Sequence, residues 1–128
     1  MYSPEVLDHF RSPRNAGTLK GASGCGRAEN PGCGDEVELT MRLEGGRIAD
    51  VRFRARGCVA TIACSSRLTE MVRGRSAVEA LAIEASGIAA SLGGLPPASG
   101  HAAALAIQAL RAALSSAKPV PGTNTVPA

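Results

Sequence analysis

Polar and apolar positions alternate most regularly in the middle of the chain. Val37, Leu39, Met41 and Leu43 are interleaved with Glu38, Thr40 and Arg42. That period of two predicts a half-buried strand. Gly45-Gly46 follows as a tight-turn signal. The run from Ile48 to Arg56 then predicts the return strand. Val51, Phe53 and Ala55 fall on one face, and Arg52, Arg54 and Arg56 on the other. The arginines are read as a solvated sheet face.

On either side of this hairpin the spacing turns helical. Ser3-Pro4-Glu5 combines an N-cap residue, a proline at the first position and an acid in the first turn. Val6, Leu7 and Phe10 give that helix a short apolar stripe, and Pro13 ends it. From Arg14 to about Gly34 the chain is rich in Gly and poor in apolar residues, which predicts a loop. Thr61 to Arg73 predicts a helix that stops near Gly74. Ser76-Ala77-Val78-Glu79 is a capping box opening another. Ala85 to Leu92 predicts a short helix, and Leu95-Pro96-Pro97 a rigid turn. From about Ala98 to Leu114 an Ala-rich helix is expected, with Leu105, Ile107, Leu110 and Leu114 as core contacts. Helix, hairpin, then a run of helices predicts an α+β fold: a small antiparallel sheet with helices packed on one face. One domain is expected over residues 1–117. Residues 118–128 hold three Pro and no apolar period, and predict a disordered tail.

Composition narrows this picture. The 128 residues include two Phe, one Tyr and no Trp, so Ala, Val, Ile and Leu must build the core. The net charge of +3 and the scattered arginines do not suggest nucleic acid as a partner. No apolar run is long enough to span a membrane, and the N-terminus lacks a secretory pattern. Four cysteines in such a chain suggest a reducing compartment, and the cytoplasm is the expected location.

Candidate chemistry centres on Asn30-Pro31-Gly32-Cys33-Gly34-Asp35. A Pro-Gly turn carries a thiol, and a carboxylate follows two residues later. If the segment is extended, Cys33 and Asp35 point to the same side. In a hairpin, the start of one strand and the end of its partner share an edge, which brings Cys58 towards Cys33 and Asp35. His101 follows the Pro-Pro turn at the start of the last helix. Cys, Asp and His are ligands that zinc accepts, and thiolates also hold iron-sulfur clusters. Each residue also has a plain structural account: a turn for the hexapeptide, a buried small hydrophobe for Cys58, a surface helix residue for His101. Cys64 is either a buried hydrophobe or an auxiliary thiol. Cys25 sits between glycines in the expected loop, and His9 lies in the first helix; neither is given a role.

These segments resemble the NifU/IscU-type iron-sulfur cluster assembly scaffolds. Tyr2-Ser3, Val6-Leu7-Asp8-His9-Phe10 and Pro13-Arg14-Asn15-Ala16-Gly17 look like the N-terminus of that family. Asn30 to Asp35 resembles its first ligand motif, Gly57-Cys58 to Ser65-Ser66 its second, and Leu95-Pro96-Pro97 with His101 its third. The resemblance implies a non-enzymatic scaffold or carrier that receives sulfur from a cysteine desulfurase. It implies a labile iron-sulfur cluster, expected as [2Fe-2S], on Cys33, Asp35, Cys58 and His101, passed on to recipient apo-proteins. Zinc is the expected occupant as isolated. Two departures stand out. Ala102 takes the place of the family's third cysteine. Ala98-Ser99 takes the place of Val-Lys after Leu-Pro-Pro, so a dedicated Hsp70 chaperone is not implied. Two other readings stay open: a divergent member that binds zinc or a partner without building clusters, and a sulfur-transfer enzyme using one reactive thiol.

Overall fold

The computed structural model of the chain describes residues 2–32 and 34–117. The expected tail, residues 118–128, lies outside the described residues. Among the described residues three strands form one antiparallel sheet in the order β1 (Gly24–Asn30), β2 (Asp35–Glu44) and β3 (Arg47–Arg56). The hairpin expected from the alternation is β2–β3. Gly45 and Gly46 turn it with φ of 60° and 78°, the positive values that a two-residue hairpin turn requires. Val37, Leu39, Met41, Val51 and Phe53 all point into the core and are buried.

β1 corrects the expectation of an unbroken loop from Arg14 to Gly34. Its sequence, Gly-Cys-Gly-Arg-Ala-Glu-Asn, has no apolar alternation. The inward positions are Gly24, Gly26 and Ala28, and they are small because a helix backbone lies directly on them. A Cβ on Gly26 would sit 2.2 Å from Ala113 N and 2.3 Å from Ala109 O. The chain reaches this edge strand from the opposite side of the sheet. Ala16 first pairs with Phe53 of β3, and Leu19 N–H then donates to Thr40 Oγ1 at 2.9 Å on the outer face of β2. Gly26→Ala is therefore expected to force that helix off the sheet and to cost about 3 kcal/mol of stability. A urea melt showing no loss would contradict this close contact.

Among the described residues five α-helices complete the fold: α1 (Pro4–Arg11), α2 (Val59–Val72), α3 (Ala77–Leu81), α4 (Ala85–Ser91) and α5 (Gly100–Ser116), with a 3-10 turn over Pro97–Ser99 before α5. The helices meet the expected ones to within a few residues, including the reciprocal Ser76–Glu79 capping box on α3. α5 packs on β1 and β2, and α2 on β3 and α5. Leu105, Ile107 and Leu110 are buried in α5 as expected, and Leu114 is packed at the margin of the core. The outer face of the sheet is charged, as the three arginines suggested. Arg56 pairs with Glu36 at 2.9 Å, and Arg27 pairs with the same carboxylate.

His9 fastens α1 to α2. It is buried, with Nδ1 2.8 Å from Ser66 Oγ and Nε2 3.3 Å from Glu70 Oε1. Burial pushes its pKa below the ordinary histidine value. A neutral ring with hydrogen on Nε2 satisfies the network: Ser66 O–H donates to Nδ1, and Ser66 Oγ accepts Arg14 N–H at 2.8 Å. Among the described residues no helix is long and apolar enough to cross a membrane.

Candidate metal centre

The site forms where one end of the sheet meets two helix N-termini. Glu36 pairs with Arg56, so Asp35 and Gly57 lie side by side at that end. Asp35 shares the inward face of β2 with Val37 and Leu39, and it is only 3% exposed. Cys58 follows Gly57 as the N-cap residue of α2. The Pro97–Ser99 turn leads into α5, whose second residue is His101.

Three side chains converge there. His101 Nε2 lies 2.9 Å from Asp35 Oδ2, and Cys58 Sγ lies 4.0 Å from the same oxygen. One donor atom from each of Asp35, Cys58 and His101 fits within 4.8 Å of the others. Tetrahedral zinc bonds of about 2.0–2.3 Å require donor atoms roughly 3.3–3.5 Å apart. The His–Asp pair is slightly inside that separation and the Cys–Asp pair slightly outside it, so the side chains would shift to close around an ion. An oxygen, a nitrogen and a sulfur this close together, the oxygen on a nearly buried carboxylate, are a donor set that suits a zinc or iron ion.

Two further residues shape the site, and sequence reasoning missed both. Gly57 has φ of 144°, and a Cβ there would lie 2.2 Å from Asp35 Oδ1. Its missing side chain is the space that the carboxylate occupies. Thr61 is fully buried; its hydroxyl donates to Asp35 Oδ2 at 3.0 Å and lies 3.2 Å from Cys58 Sγ. The signal for Thr61 was its register. Cys58 and Thr61 stand at N-cap and N3 of a helix, positions whose side chains face each other.

The other candidates separate clearly. Cys33 lies outside the described residues. Cys64 does not join the group: it is fully buried in the apolar core. Burial there pushes its thiol up to about 12, so it stays protonated at neutral pH. Cys25 is exposed on the outer face of β1, away from the site. Ala102 is completely buried and offers no donor atom.

An α+β scaffold with a Cys/Asp/His cluster at the sheet end describes a known class. The family model for the NifU-like N terminal domain matches residues 1–120. The chain is 45% identical over 114 residues to the iron-sulfur cluster assembly scaffold protein IscU 1 of Archaeoglobus fulgidus, covering 89% of this chain and 74% of that protein. It is 41% identical over 121 residues to the IscU scaffold protein of Haemophilus influenzae, covering 91% of this chain and 95% of that one. This chain belongs to the NifU/IscU family. The fold is similar to that of a candidate iron-sulfur cluster assembly scaffold protein for the SUF system from Fervidobacterium islandicum. That likeness has a TM-score of 0.74 at 23% identity, and it covers 88% of this chain and 96% of the other.

Proposed function

We propose that this chain is a non-enzymatic scaffold or carrier for iron-sulfur cluster assembly, with Cys33, Asp35, Cys58 and His101 as its ligands. The observation that carries this reading is the convergence of Asp35, Cys58 and His101 within 4.8 Å. Cys33 enters this reading from the sequence, where it precedes Asp35 by two residues. In this reading a cysteine desulfurase supplies sulfur, iron joins it, and a labile [2Fe-2S] cluster is the cargo handed to recipient apo-proteins in the cytoplasm. Thiolates are the usual cluster ligands, and histidine substitutes on one iron of some clusters. His101 thus takes the place left by Ala102, and Cys64 remains a core residue. Ala98-Ser99 after Leu-Pro-Pro leaves a dedicated Hsp70 chaperone out of the scheme.

Ala102 also favours a second reading. With one thiolate fewer, the same donors make a zinc site without cluster chemistry, and zinc is the expected occupant of the protein as isolated. Anaerobic reconstitution with ferrous iron and sulfide separates the two. The scaffold reading expects a visible cluster absorption band that is lost in Cys58→Ser and in His101→Ala and kept in Cys64→Ser. Zinc uptake with no such band would establish the second reading. Loss of the band in Cys64→Ser with retention in His101→Ala would reverse the ligand assignment.

A further inference from the structure

A buried threonine on a helix ordinarily gives its hydroxyl hydrogen to a carbonyl three or four residues back. Two neighbours on α2 behave this way. Ser65 Oγ donates to Thr61 O at 2.8 Å, and Thr69 Oγ1 donates to Ser66 O at 2.6 Å. Thr61 does not. Its hydroxyl leaves the helix backbone and reaches across to Asp35 Oδ2 at 3.0 Å. The same oxygen atom lies 3.2 Å from Cys58 Sγ. Thr61 Oγ1 is therefore a common neighbour of two of the three convergent donors, in a place with no exposure to solvent. A hydroxyl has one hydrogen. With that hydrogen on the carboxylate, Oγ1 is free to accept from the Cys58 thiol. When a metal ion displaces the thiol proton, the bond to Asp35 remains.

We propose that Thr61 is a positioning residue for this metal site: it holds the Asp35 carboxylate in the direction shared with Cys58 Sγ and His101 Nε2. The inference rests on the metal-binding reading above. Without the hydroxyl, the partners left to Asp35 Oδ2 among the described residues are His101 Nε2 at 2.9 Å and the more distant Cys58 Sγ at 4.0 Å, and the carboxylate is held less firmly. The ion must then order its own ligand on arrival. Partners of this outer kind typically change metal affinity about 10–100-fold.

The test measures zinc affinity by competition with a chromophoric chelator, and cobalt(II) binding by its visible d–d bands, which are intense only in near-tetrahedral geometry. Thr61→Val keeps the volume and removes the hydroxyl. It is expected to weaken zinc about 10–100-fold and to lower the intensity of the cobalt bands. Thr61→Ser restores the hydroxyl and is expected to restore both. Thr61→Ala serves as a second hydroxyl-free variant should the valine variant fold poorly. A purely structural role would lower thermal stability in Thr61→Val and leave the affinity and cobalt spectrum of the folded protein unchanged; that outcome overturns the proposal. So does a serine variant as weak as the valine one. A wild-type chain that binds neither zinc nor cobalt overturns the metal-site reading itself, and this inference with it.

Discussion

Replacing Gly57 by alanine is expected to remove zinc binding almost completely, by at least about 100-fold, at the upper end of what partners outside the ligand set produce. Two effects act together. A φ of 144° is a backbone conformation that residues with side chains rarely adopt, and strained residues of this kind cost about 1–3 kcal/mol each. The added Cβ would also lie 2.2 Å from Asp35 Oδ1 and 2.7 Å from Asp35 Cγ. Neither separation is sustainable, so Asp35 must swing away. It then leaves Thr61 and His101, which hold it at 3.0 and 2.9 Å. Gly74→Ala is the matched control. Gly74 also has a positive φ, 84°, but a Cβ there meets nothing within 4 Å. The control is expected to lose stability and keep zinc affinity. Equal affinities in the two variants would show that the space beside Asp35 does not matter.

The hairpin was legible because its two periods agree with its burial. From Val37 to Leu43 and from Val51 to Ala55 every second residue is apolar, and those residues face α2 and α5. The helices were legible from caps and stops: Ser3-Pro4, Ser76 with Glu79, Gly74 and the Pro-Pro turn. β1 was not. Its inward residues are Gly24, Gly26 and Ala28 because the α5 backbone rests on them, and contact of that kind leaves no hydrophobic signal. His9 and Ser66, 57 residues apart, meet only once α1 folds onto α2.

The candidate site was legible in part for the same reason. Strand pairing alone brings Asp35 beside Gly57, so the neighbourhood of Asp35 and Cys58 follows from the hairpin register. His101 depends on where α5 begins, and its identification drew on the resemblance as well as on the Pro-Pro turn. Thr61 and Gly57 were hidden. One looks like an ordinary helix residue and the other like an ordinary strand terminator. Their significance lies in distances to Asp35 that no local pattern encodes.

Asp35 itself is expected to act with opposite sign on two kinds of cargo. In the metal-site reading, its carboxylate is one of the donors to a zinc ion. Asp35→Ala removes that donor and leaves His101 Nε2 without the partner that holds it at 2.9 Å, so zinc binding should weaken. For an iron-sulfur cluster the carboxylate is a harder and poorer ligand than sulfur. In the scaffold reading it is the ligand from which iron would be most readily surrendered to another protein or to water. Asp35→Ala is therefore expected to lengthen the half-life of a reconstituted cluster about tenfold, which corresponds to ~1.4 kcal/mol on the barrier to loss. The decay of the visible band in the presence of a chelator measures this directly, and zinc competition on the same preparation gives the other sign. A longer-lived cluster with weaker zinc would support Asp35 as the residue that keeps the cargo transferable. A cluster that decays at the wild-type rate or faster would mean that release is set elsewhere, with the missing thiol at Ala102 the first place to look.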